Sequence, residues 1–136
     1  MRSVGYRAYC KCLAQLAYAM YSRMEQGAGM SHPFVAAVAE GLAERDIATL
    51  RYQFPYMQEG SKRPDTPKVA QATVRAAVAE ASRLLPRLPI VAGGKSFGGR
   101  MTSQAQAASP LPGVRGLAFL GFPLQKRKKG SARGTY

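Results

Sequence analysis

Residues 93–101 read GGKSFGGRM and directly follow the apolar run LPIVA. A serine set among glycines where a strand gives way to a helix allows few backbone paths. Two chemistries use such a turn. A phosphate-binding loop has the pattern G-x-x-x-x-G-K-[ST], in which the first glycine lets backbone N–H groups converge on phosphates. Gly94-Lys95-Ser96 supplies its last three letters, but the opening position is Pro89, which has no N–H and a fixed φ. The nucleophile elbow G-x-S-x-G is matched in full by Gly94-Lys95-Ser96-Phe97-Gly98. Its glycines at 94 and 98 answer to crowding, since strand and helix backbones leave little room for a Cβ there. Five residues alone do not separate an elbow from an ordinary glycine-rich turn, so the context has to decide.

The rest of the chain alternates between helix and strand signals. SHPFVAAVAEGLAER predicts a short amphipathic helix, with Ser31 as cap, Pro33 in the first turn and Phe34, Val38 and Leu42 on one face. DIATLRY predicts a buried strand and QFPYMQEGSKRPD a loop. Thr66-Pro67 then opens a helix to about Leu85, with Val74, Val78, Ala81 and Leu85 as its apolar stripe. LPIVAGG, FGGRMTSQAQAA and VRGLAFLGFP continue as strand, helix and strand. This order calls for parallel pairing with helices on both faces. In such a sheet, ligands bind beyond the carboxyl ends of the strands, where Ser96 falls. Gly27-Ala28-Gly29 before the first helix and Tyr52 to Tyr56 after the first strand point to the same end. A glycine turn at 27–29 can offer one N–H to an oxyanion, with the other from Phe97. With these features in order, the elbow is the better reading.

Composition bounds the alternatives. The chain has 136 residues, enough for one domain with a real core. No apolar run approaches the roughly 18 residues of a membrane span, and the first 24 residues lack the layout of a signal peptide, so the expected setting is the cytoplasm. Cys10 and Cys12 have no second Cys or His pair, so two reduced thiols, and no metal, are expected. The net charge of +13 suggests an acidic partner, but its distribution does not. Residues 26–124 hold eleven Lys or Arg against six Asp or Glu, whereas residues 125–136 hold five against none. Lys126, Arg127, Lys128 and Lys129 are therefore where nucleic acid or another polyanion would bind, on a tail whose composition is that of a solvated segment.

The two stretches GAGMSHPFVAAVAEGLAERDIATLRYQFPYM and AGGKSFGGRMTSQAQA with LPGVRGLAFLGFPL resemble the bacterial branch of the KANL/Tex-type alpha/beta-hydrolase-like family, related more distantly to dienelactone hydrolases. The resemblance spans residues 26–124. It implies a partial alpha/beta-hydrolase fold, an α/β parallel sheet core missing the C-terminal strands. It implies further that Ser96 is the nucleophile, that Gly27 to Gly29 belong to the oxyanion side, and that no cofactor is used.

The chain also departs from the family. In this fold the nucleophile is followed by an Asp or Glu and then by a His, yet no Asp, Glu or His follows Ser96. The sole histidine, His32, precedes the first helix, and Lys95 and Arg100 flank the elbow without being its base. Loss of base and orienter costs on the order of 10⁴ to 10⁶ in turnover. At the front, Arg23 and Glu25 interrupt the apolar strand expected before Gly27. These departures lead us to expect a truncated or frame-shifted copy, with a divergent segment at 1–25, a partial hydrolase domain at 26–124 and a basic tail at 125–136. An apolar LAFLGF at the sheet edge would favour self-association. Two functions follow: a serine hydrolase of small ester-like acyl substrates, weak or inactive as written, or a noncatalytic basic protein that binds polyanions through its tail.

Overall fold

The computed structural model describes residues 33–121 in full, together with the backbone of one further strand at residues 14–20. The elements run β1 (Ala14–Met20), α1 (Pro33–Ala43), β2 (Ile47–Tyr52), α2 (Pro55–Gln58), α3 (Pro67–Leu84), β3 (Ile90–Lys95), α4 (Phe97–Ala108) and β4 (Val114–Leu120). All strand pairs are parallel, in the order β2-β1-β3-β4. The alternation expected from the sequence is therefore present, with one strand more. β1 lies within residues 1–25, the segment set apart above as divergent. It ends at Met20, before Arg23 and Glu25, so those charges do not interrupt it. Its composition, AQLAYAM, suits an interior strand, and it is hydrogen-bonded on both sides, with Ala19 opposite Tyr52 and Gly94.

Strand order fixes the helix layers. From β1 the chain crosses through α1 to β2 on one side, whereas from β2 to β3 and from β3 to β4 it moves the other way. Parallel crossovers are right-handed, so opposite directions place α1 on one face and α3 and α4 on the other. Accordingly α1 packs on β2, while α3 and α4 pack on each other and on β1 and β3. The strand order reverses direction between β1 and β3, so the switch point, where ligands bind in open α/β sheets, falls at the carboxyl ends of these two neighbours. Ser96 is the first residue after β3.

The core lies on the α3 and α4 side. Ala70, Val74, Ala77, Val78 and Ala81 form one buried stripe of α3, at the three- and four-residue spacing of a helix face, against Ile90 and Ala92 of β3 and Met101 and Ala105 of α4. Arg75 fastens the two helices: its Nη2 donates to the carbonyls of Ala105 at 2.6 Å and Ser109 at 2.9 Å. These carbonyls lie in the last turn of α4, where a cation is favourable.

Three local expectations need correction. Val35, 2% exposed, is the buried residue of α1, while Phe34 is 39% exposed. Val35, Val38 and Leu42 make the inward stripe, and Phe34 lies about 100° round the helix from Val35. The loop after β2 contains the single turn α2, closed by Glu59 N donating to Pro55 O at 3.0 Å. Pro55 starts it, having no N–H to leave unsatisfied, and the Asp65 carboxylate accepts the N–H of Tyr56 at 3.1 Å. Finally, Thr66 precedes α3 in extended geometry but makes no side-chain cap bond; Pro67 offers no N–H, and the Thr66 carbonyl accepts Ala70 N at 2.9 Å instead.

Candidate active site

Ser96 joins β3 to α4 with φ 54° and ψ −113°, a conformation that costs a residue bearing a Cβ of order 1–3 kcal/mol. The surrounding structure holds it there. Ser96 N donates to Gly121 O at 3.2 Å, tying the turn to the end of β4, and Ser96 O accepts Arg100 N at 3.1 Å as the first bond of the helix. A serine at a helix start ordinarily turns its hydroxyl back onto the first N–H groups. Here it makes no such bond, so the Oγ is not spent on capping. Phe97 begins α4, at the positive end of the helix dipole.

The glycines sort themselves by location. Gly94 is buried in β3 and Gly98 is buried in the first turn of α4, as the elbow pattern places them. Gly93, which the pattern does not include, has no room for a side chain. A Cβ on it would lie 1.9 Å from the carbonyl oxygen of Ala118 in β4. The paired glycines inside a buried strand were its signal, since a strand glycine marks close backbone approach.

Aromatic rings support the turn from beneath. The Phe97 ring meets Phe54 edge-on at 5.2 Å and Tyr56 at 6.0 Å, and Tyr52 meets Phe54 at 5.9 Å. Phe54 is wholly buried. The stretch from Tyr52 to Tyr56, read as pointing to the site, thus packs under Phe97. Thr102, also wholly buried, donates its hydroxyl to Gly98 O at 2.8 Å and, more weakly, to Gly93 O at 3.4 Å, bracing α4 against β3. Burial pushes the Tyr52 phenol well above its ordinary value, and the Thr102 hydroxyl offsets part of this. Thr102→Val should lower stability by about 1 kcal/mol in urea denaturation, while Thr102→Ser should retain most of it. A loss in Thr102→Ser with none in Thr102→Val would mean that the methyl group, and not the hydroxyl, is what matters.

Two cations flank the serine. The Lys95 ammonium lies 4.6 Å from the centre of the Phe34 ring, on the α1 side. The Arg100 guanidinium lies 5.8 Å from the Phe97 ring, on the α4 side, and its buried Nε has no hydrogen-bond partner among the described residues. Among the described residues no group of His, Cys, Asp or Glu could hold a metal ion, and no helix is long and apolar enough to cross a membrane. The expected oxyanion residues Gly27, Ala28 and Gly29 lie outside the described residues, as do Cys10, Cys12, His32 and the run Lys126 to Lys129.

Comparison with curated proteins and with solved structures yields no match. The alpha/beta hydrolase domain family matches residues 25–135, more than three-quarters of the sequence, and the match takes in the serine turn, the helices on either side of it and the strands β2 to β4. With a parallel sheet, a serine in a strained turn after an interior strand and a family match of this extent, the chain belongs to the alpha/beta hydrolase domain family.

Proposed function

We propose that the chain is a serine hydrolase of the KANL/Tex-type branch, related to dienelactone hydrolases, and that it acts on ester-like bonds through Ser96 with low activity. The observation that carries this reading is the left-handed φ of Ser96 at the carboxyl end of β3, with its hydroxyl not engaged in capping. Strain of this kind clusters where it serves chemistry. In the reaction, Ser96 Oγ attacks the acyl carbon, the carbonyl electrons move onto oxygen, and the N–H of Phe97, with the Gly27 to Gly29 turn, holds that oxyanion. Collapse expels the alcohol and leaves an acyl-serine, which water then hydrolyses to the free acid. The sequence has no Asp, Glu or His after Ser96, so the Oγ proton passes to hydroxide from solvent as the bond to carbon forms, and the departing alkoxide takes a proton from water. Low activity is part of this reading, because attack without an imidazole base is slow.

Labelling with a fluorophosphonate tests the reading directly, because the reagent phosphonylates only an activated serine. We expect slow labelling of the purified chain and none of Ser96→Ala. Equal labelling of both, or none of either beside a labelled alpha/beta hydrolase as control, would refute the assignment.

A further inference from the structure

The arginines of this protein differ in how their donors are met. Arg75 gives its Nη2 to two carbonyls, and Arg83 grips the Glu80 carboxylate through Nε at 2.8 Å and Nη2 at 2.7 Å. Arg100 does neither. Among the described residues its buried Nε has no acceptor, and the Phe97 ring, 5.8 Å from the guanidinium, attracts the charge but takes no hydrogen bond of ordinary strength. A guanidinium has five donors and no acceptor, and a buried donor left unmet lowers stability. Such an exception calls for an explanation, and a bound partner that accepts from the guanidinium supplies one.

Charge around Ser96 points to the nature of that partner. No Asp or Glu occurs from Ala81 to the last residue, so β3, α4 and β4 contribute only positive side chains. Lys95 immediately precedes Ser96, and its stem passes the end of β4 beside Gly121 on the way to Phe34. Arg100 lies one helical turn after Ser96 and is bonded to it through the backbone. Lys95 thus reaches the Phe34 ring of α1 and Arg100 lies against the Phe97 ring of α4, and the amino end of α4 adds its partial positive charge beside Ser96. We infer that the acyl substrate carries a second, negatively charged oxygen group, a carboxylate or a phosphate, which the Arg100 fork receives while Lys95 draws it to the switch point. This inference rests on Ser96 being the reacting group. The fork of Arg100 suits a two-oxygen acceptor, while Lys95 acts as a point charge.

Binding is measured on Ser96→Ala, which cannot be acylated, by calorimetric titration with three esters: neutral dimethyl succinate, monomethyl succinate and 2-acetoxyethyl phosphate. One or both anionic esters should bind about tenfold or more tightly than the diester, and the one that does identifies the group. Adding Arg100→Gln should abolish that preference, Arg100→Lys should retain part of it, and Lys95→Gln should weaken it a few-fold. Equal affinity for all three esters overturns the inference, as does a preference that survives Arg100→Gln. If Arg100→Gln does not fold, the graded loss in Arg100→Lys and Lys95→Gln decides, and no change in either again overturns it. Labelling of Ser96 is scored separately. A chain that prefers the anionic esters but resists fluorophosphonate keeps its anion subsite and loses the hydrolase reading.

Discussion

Gly93→Ala is expected to destabilise the protein by about 3 kcal/mol or more, enough to threaten folding in a domain whose total stability is of order 5–15 kcal/mol. The added Cβ would lie 1.9 Å from the Ala118 carbonyl oxygen, 2.9 Å from its carbon and 3.3 Å from its nitrogen. All three are backbone atoms of the neighbouring strand, so no rotamer change relieves the overlap. Relief would require β3 and β4 to separate, breaking the pairing of Gly93 with Ala118 and its neighbours. The damage would reach the serine, because Ser96 N is bonded to Gly121 O just beyond β4. Gly116→Ala, in β4 itself, makes a matched control: its Cβ would come no closer than 4.0 Å, to Val91 Cγ2, and should shift stability by about 0.5 kcal/mol or less. Urea unfolding of the two variants separates the cases, and similar midpoints would contradict the close approach.

That contrast also shows where sequence reasoning reached and where it stopped. Elements with a strong local signal were legible nearly to the residue: α4 begins at Phe97 because the serine turn precedes it, and α3 begins at Pro67 and ends beside Pro86. The serine was legible because its flanking pattern is short and local. Gly93 was harder, since its need for a bare Cα comes from the carbonyl of Ala118, 25 positions later, and pattern reading along the chain does not show which strands approach. β1 was missed as an element for a similar reason. Its AQLAYAM shows neither polar alternation nor a turn at its start, and its role as an interior strand appears only when β2 and β3 lie on either side of it. Phe34 looked like a core residue by its chemistry, yet α1 covers the edge strand β2, where a few small side chains suffice, and its ring is left to meet Lys95. Arg100 was named from the sequence only as a neighbour of the elbow; that its Nε lacks an acceptor among the described residues depends on three-dimensional packing.

The second large effect concerns turnover and its dependence on pH. A complete triad lends the serine a histidine base, whose titration near its ordinary value of about 6.5 gives a rate that levels off above neutrality. This chain has no Asp, Glu or His beyond Ser96, and its one histidine, His32, precedes α1. In the proposed reaction no imidazole takes the Oγ proton, and attack draws on solvent hydroxide. Hydrolysis of p-nitrophenyl acetate, corrected for the spontaneous reaction, should then climb about tenfold per pH unit from roughly pH 7 to 9 without a plateau, since the serine hydroxyl is far from ionised there. The absolute rate should lie on the order of 10⁴ to 10⁶ below that of a hydrolase with its triad intact. Ser96→Ala should remove what enzymatic rate there is, whereas His32→Ala should leave it within about twofold, as expected for a residue that takes no proton in the reaction. A plateau centred near pH 7 that vanishes in His32→Ala would identify His32 as the base. The proton route would then run from Ser96 to a residue that enters ahead of the nucleophile in the chain, opposite to the order that this fold ordinarily uses.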